Sequence, residues 1–269
     1  MSATYETGHA RNVANFEQLI SHCLSYGTAY NPAKAAIKAA ALNTLLTNSR
    51  AAINLVKEKH NLYIDAVNAR EIIFKPLDQF TTRLLRALQS SDVTDEKIKD
   101  AKSIIRKIKG QRASAIEQKP AAETSEISGS DQAITPEPVP QTKSSSQRSY
   151  DNRLENFAKL VNLISTETGY APNENELKLT TLSTTIADMR AKNSAVINAI
   201  TALNNARINR NKILYNKSTG LYDIAQDVKA YIGALYGTSS PDIKSMVDDP
   251  DLPEYPLFPR ISYLLRRIS

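Results

Sequence analysis

Two arginines on otherwise apolar helical faces are the sharpest candidates for chemistry in this sequence. Arg70 and Arg210 continue series of mostly apolar residues spaced four and three apart, and Arg207 lies one turn before Arg210. A buried guanidinium needs a partner, because an unpaired charge in a protein interior is strongly destabilising. The carboxylates that follow in the sequence, Asp78 and Asp223, predict the ion pairs Arg70–Asp78 and Arg210–Asp223.

These ion pairs are interpreted as devices that fix the register of packed helices. Two other roles stay open: Arg207 and Arg210 could clamp a carboxylate or phosphate of a ligand, or the arginines could extend outward to solvent. Asn193, a polar residue in the second apolar series, is also interpreted as a register residue.

The remaining reactive residue types do not form a recognisable site. His60 lies on the first apolar series and is interpreted as an interior or rim histidine. His22 and Cys23 are neighbours on a helix, so their side chains point about 100° apart and do not form a nucleophile pair. Zinc-protease, paired-cysteine, serine-hydrolase and phosphate-loop motifs are absent from the sequence. We therefore predict no enzyme activity, no cofactor, no metal and no small-molecule substrate.

A basic stretch from Lys97 to Arg112 could contact nucleic acid or an anionic membrane surface. It lacks the interleaved aromatic residues that single-strand binders use. A solvated outer face of an ordinary bundle helix is the favoured interpretation.

The apolar series require long helices. Residues 10–26 predict a first helix, and Asn31-Pro32 is typical of the start of a second. No Gly or Pro then occurs before Pro76. The 3.5-residue spacing is typical of a bundle or coiled-coil seam. Each long helix either continues for roughly 63 Å at 1.5 Å per residue or breaks near Asn48 and Asn193.

The two long helices are related by an internal repeat. A shift of 140 positions aligns residues 30–74 with 170–214 without a gap, and a shift of 141 aligns Phe16 with Phe157. Returning helices are predicted after Pro76 and Gly220. The first copy adds a helix that begins with Thr94 as its cap and ends at Gly110.

The predicted organisation is all-α, with two tandem helical bundles of long antiparallel helices at residues 10–112 and 151–247. Residues 1–9 are predicted to be a flexible lead. Residues 113–150 are rich in Ser, Thr, Pro, Gln and Glu and predict a disordered linker. Residues 248–269 form a Pro-rich tail that packs either on its own bundle or on a neighbouring chain. Its apolar residues are Tyr255, Leu257, Phe258, Ile261, Tyr263, Leu264 and Leu265.

Composition narrows the class further. The 269 residues carry a formal net charge of +6, and the single cysteine excludes an internal disulfide. The sequence has no secretory leader pattern and no apolar run of about 18 residues. These features predict a protein of a reducing compartment, the cytoplasm.

Several short stretches match a known sequence pattern: Gly169 to Glu174, Ala206 to Asn211 and Gly220-Leu221 in the second copy, and Asn68 to Leu77 and Lys107 to Gly110 in the first. In these stretches the chain resembles an uncharacterised family of tandem-repeat helical proteins from Bacteroidetes. The resemblance covers most of residues 10–245 but not the tail from Asp248. It implies a cytoplasmic bacterial helical protein and no catalytic activity.

The predicted function is non-enzymatic: a structural, protein-interaction protein that self-assembles through its bundles and its tail. Its expected partners are other proteins or further copies of the chain. One alternative is a membrane-interacting helical component, such as a toxin or effector. A second is a nucleic-acid-associated protein that uses the basic helix at 97–112.

Overall fold

A computed structural model describes residues 4–111 and 148–237, and within these ranges the chain is helical with no strand. This confirms the all-α prediction. The α-helices are α1 (Thr4–Ser25), α2 (Ala39–Phe74), α3 (Leu77–Gln89), α4 (Asp95–Ile108), α5 (Tyr150–Ser165), α6 (Leu179–Tyr215) and α7 (Leu221–Tyr236). Short 3₁₀ turns occupy Gly27–Ala29, Ala35–Ile37 and Asn175–Leu177. None of the described helices is long and apolar enough to cross a bilayer.

Both long helices are continuous, so the alternative of a break near Asn48 or Asn193 is wrong. Neither site provides a cap: Ser49 is fully buried within α2, and the amide of Asn193 bonds to the side chain of Asp151. The expected start of α2 directly after Pro32 is also wrong. Lys34 and Lys38 have extended backbone angles around a 3₁₀ turn, and α2 begins only at Ala39.

The lead into each long helix has the same local geometry. The Tyr30 hydroxyl donates to the carbonyl oxygen of Ile37 at 2.6 Å, and the Tyr170 hydroxyl donates to that of Leu177 at 2.9 Å. The 3₁₀ turns at 35–37 and 175–177, and the helix starts at 39 and 179, are likewise 140 residues apart. A tyrosine thus closes the turn that directs the chain into each long helix.

The described helices divide into two compact units. Unit 1 contains residues 4–60 and 202–237, and unit 2 contains residues 61–111 and 148–201. This division differs from the predicted bundles at 10–112 and 151–247, because α2 and α6 each contribute to both units. We refer to residues 4–111 as the N-terminal segment and to residues 148–237 as the C-terminal segment.

Each unit has a core built from both segments. In unit 1 the N-terminal segment provides Val13, Phe16, Leu19, Ile20, Cys23, Ile37, Leu42, Leu46 and Ile53, and the C-terminal segment provides Leu214, Leu221, Ile224, Val228 and Ile232. In unit 2 the N-terminal segment provides Phe74, Leu77, Leu84, Leu88, Ala101, Ile105 and Ile108, and the C-terminal segment provides Leu154, Phe157, Leu160, Val161, Ile164, Tyr170, Leu177, Leu182 and Met189. Each core therefore needs side chains from both the N-terminal and the C-terminal segment.

The predicted flexible lead at residues 1–9 is wrong from Thr4 onward, where α1 begins. His9 Nδ1 lies 2.7 Å from the hydroxyl of Tyr215, and Asn12 donates to the same oxygen at 3.0 Å. These contacts hold the first turns of α1 in unit 1. The predicted linker at 113–150 is wrong at its end, because Ser149 caps α5 and the helix begins at Tyr150. Residues 113–147 of that linker, and the predicted tail at 248–269, lie outside the described residues.

Candidate interaction surfaces

Arg70 is positioned by aromatic contact and not by the predicted ion pair. Its guanidinium carbon lies 4.0 Å from the centre of the Tyr150 ring, and that ring makes an edge contact with Phe74 at 4.9 Å. Arg70 Nε is buried and has no hydrogen-bond acceptor. Stacking on an aromatic face satisfies part of the charge without a carboxylate.

Asp78 pairs with a residue that the sequence analysis did not single out. Its Oδ1 accepts from Arg153 Nη2 at 2.6 Å, with the two side chains 44% and 16% exposed respectively. The predicted Arg70–Asp78 pair is therefore wrong. The reason is tertiary: α5 of the C-terminal segment places Arg153 beside the first turn of α3. The sequence held one indication that Arg153 lies near this cluster, because Tyr150 and Arg153 are three residues apart and share a face of α5.

Arg210 is 5% exposed and has a local acceptor. Its Nη2 and Nε donate to Asn211 Oδ1 at 2.9 and 3.2 Å. Asp223 Oδ2 accepts from the backbone N–H of Ser218 at 2.7 Å, which holds the turn before α7. The Arg210–Asp223 pair and the ligand clamp at Arg207 and Arg210 stay predictions.

Asn193 is buried, 5% exposed, and lies in a shallow groove of unit 2. Its Nδ2 donates to Asp151 Oδ1 at 2.9 Å, whereas its Oδ1 is buried without a donor. An amide that is only half satisfied is unfavourable for stability. Its link from α6 to the first turn of α5 agrees with a register role, which itself stays a prediction.

In unit 1, the buried Cys23 forms a polar pair with the partly buried Tyr30. Burial raises the pKa of the Cys23 thiol, and a hydrogen bond to Tyr30 offsets part of that rise. Burial and the neighbouring Cys23 also raise the pKa of Tyr30. The Tyr30 ring makes an edge contact with Tyr231 of α7 at 5.4 Å. This arrangement keeps both groups neutral and links the two segments.

Exposed apolar side chains lie at the ends of α1 and α7. Leu24, Leu235 and Tyr236 are 55%, 43% and 40% exposed, and Tyr236 stacks on Tyr26 with ring centres 4.8 Å apart. We call Leu24, Leu235 and Tyr236 the apolar end of unit 1. The chain continues from here toward residues 248–269.

A basic groove lies between α3 and α4 of unit 2. We define it by Lys99, Lys102, Arg106 and Lys109, with Leu85 and Ile105 as its apolar floor. Lys109 Nζ donates to Thr82 Oγ1 at 2.7 Å. Within the described residues, the first three cations have no carboxylate within ion-pair distance. The groove therefore presents uncompensated positive charge, as the sequence of α4 indicated.

The described residues contain no group of three or more His, Cys, Asp or Glu side chains that could hold a metal. His22 and His60 are exposed. His60 therefore lies outside the core, at the edge of the buried series along α2.

Comparison with protein-family models, curated proteins and solved structures finds no match to this chain. The resemblance to the Bacteroidetes family stays a prediction.

Proposed function

We propose that this protein is a non-enzymatic structural protein that acts by protein–protein contact and self-assembles. The observation that carries the proposal is the composition of the two cores. In each unit, helices from separate stretches of the chain associate through complementary apolar faces. The principal interaction in the described residues is thus association between helices, which is driven by burial of apolar surface.

The apolar end of unit 1 supports a second contact. Leu235 and Tyr236 lie in the last turn of α7, and the tail that follows the described residues contains Tyr255, Leu257 and Phe258. Exposed apolar side chains on unit 1, together with apolar residues in the tail sequence, favour docking, either within the chain or on a neighbour. Docking on a neighbour would build higher assemblies.

Light scattering on the full chain and on a chain that ends at Asp248 tests this proposal. We expect the full chain to exceed the monomer mass in a concentration-dependent way and the shortened chain to lose part of that excess. Leu235→Ser should weaken assembly, whereas Leu62→Ser, which changes a 49% exposed residue of unit 2, should not. Monomeric masses for every variant at all concentrations would reject the proposal.

We further propose that the two segments descend from one duplicated helical unit, in a cytoplasmic bacterial protein. The tyrosine-closed turns 140 residues apart support the duplication. Separate expression of the two segments, followed by mixing, tests whether they recognise each other.

The basic groove favours a second candidate function, binding of nucleic acid. Lys99, Lys102 and Arg106 are spaced three and four apart on α4, so their side chains follow one face. Contacts with phosphates make affinity fall steeply with salt. Double reversal, Lys99→Glu with Lys102→Glu, should abolish a salt-dependent shift of a DNA duplex. Lys107→Glu, whose side chain points about 100° away from that of Arg106, should weaken it less.

Equal loss from Lys107→Glu, or no shift at low salt, would reject this second candidate. Flotation with anionic vesicles in parallel separates nucleic acid from a membrane surface. Vesicle binding without DNA binding would support the membrane-interacting alternative instead.

A further inference from the structure

The closest helix pairings in the described residues mostly join the two segments. α4 packs against α5 in unit 2, and α1 and the 3₁₀ turn at 35–37 pack against α7 in unit 1. The remaining close pairing, α3 with α4, lies within the N-terminal segment. Three of these four pairings therefore join the N-terminal segment to the C-terminal segment.

Specific contacts mark this inter-segment surface in both units. In unit 1, Lys34 pairs with Asp227, and Tyr30 packs on Tyr231. In unit 2, Lys97 Nζ lies 3.1 Å from Glu167 Oε1.

The backbones also approach closely, because a methyl group on Gly169 would lie 2.2 Å from the carbonyl oxygen of Asp92. These contacts need an N-terminal segment and a C-terminal segment side by side. They would be the same whether the two segments came from one chain or from two copies of the chain.

The covalent connection between the segments is residues 112–147. It starts and ends at neighbouring points of unit 2, since a methyl group on Gly110 would lie 2.5 Å from Arg148 Cγ. A connection across so short a distance needs only a few residues. Residues 112–147 could reach roughly 120 Å at about 3.3 Å per residue. The chain length thus permits the two segments of one chain to enter different assemblies.

We propose that the partner in self-assembly is a second copy of this chain, and that two chains exchange their C-terminal segments, residues 148–237. The N-terminal segment of each chain then completes both cores with the C-terminal segment of the other. This inference rests on the proposed self-assembly and gives it a specific interface. Every core contact of the monomer is kept in the exchanged dimer. The equilibrium between monomer and exchanged dimer therefore depends on protein concentration.

Mixed-isotope crosslinking tests the exchange. Equal amounts of ¹⁴N-labelled and ¹⁵N-labelled full-length chain are unfolded together in denaturant and refolded at several concentrations. A carbodiimide then joins lysines to the carboxylates they contact. Peptide mass spectrometry of the dimer fraction reports whether Lys34–Asp227 and Lys97–Glu167 links carry one label or two.

Random exchange predicts two labels in about half of these links, with a fraction of dimer that rises with refolding concentration. The internal control is Lys159–Glu155, which are in contact at 3.4 Å within α5 and must always share one label. A Lys159–Glu155 link that carries both labels would show that the reagent also joins chains that merely collide.

Dimers whose inter-segment links carry one label only would overturn the exchange and leave self-assembly through other surfaces standing. A chain that stays monomeric at every refolding concentration would overturn both proposals. The exchange and the broader function can therefore fail separately.

Discussion

Truncation of Leu214 to alanine tests whether unit 1 depends on both segments. Leu214 is fully buried and belongs to the core that also contains Val13 of α1 and Leu42 of α2. Loss of a fully buried leucine side chain costs about 3 kcal/mol through lost burial and the cavity that remains. This corresponds to a roughly 150-fold loss in the equilibrium constant for the local structure.

Hydrogen exchange with mass spectrometry gives the location of the effect. In Leu214→Ala, amide protection should fall more in α1 than in α5, although α1 is remote in sequence and α5 lies in the mutated segment. The matched control is Leu84→Ala, which removes an equally buried leucine of α3 in unit 2 and should reverse the order. Leu235→Ala, at an exposed position, should change neither helix.

A loss of protection in Leu214→Ala that is confined to residues 148–237, with α1 unchanged, would refute the reasoning. It would mean that each segment folds around its own core, as the predicted bundles at 10–112 and 151–247 required.

Three further predictions concern polar contacts. In a double-mutant cycle by urea unfolding, Asp78→Asn and Arg153→Met should show a coupling of about 1 kcal/mol, because the pair is only partly exposed; additive effects would contradict the pair. Burial, with a smaller effect of the Glu174 charge, raises the pKa of Tyr170 to about 12. The stability that protonated Tyr170 contributes is thus complete below the unfolded value near 10 and is lost as pH rises toward 12; the drop in the free energy of unfolding between pH 9 and 11.5 should therefore be larger in the native chain than in Tyr170→Phe, which keeps the partly buried Tyr30. Asn193→Leu should raise the free energy of unfolding by up to about 1 kcal/mol, because it removes a buried oxygen without a donor; a lower melting temperature would argue that the amide is needed.

Several features of the candidate surfaces were readable in the sequence. The basic face of α4 follows from the spacing of its lysines and arginines, and the buried positions of Leu182, Val196 and Leu203 follow from the helical period. The partner of Asp78 did not follow, because Arg153 lies on a helix whose position next to α3 is set by packing. Likewise, the sequence around Pro32 is typical of a helix start, yet the Tyr30 hydroxyl stabilises a 3₁₀ turn there instead.

The all-helical class and the starts of α3 and α7 depend on local interactions, and the sequence alone determined them. Pro76 and Gly220 stand directly before α3 and α7, and the apolar positions mark the face that each helix buries. The pairing of these faces was decided only by the tertiary structure. Phe74 and Leu214, at equivalent positions, are both apolar and both buried, so either could have packed within its own segment. Burial of apolar surface is non-directional. A periodic sequence therefore predicts that a helix face is buried, but it does not predict which segment of the chain packs against that face.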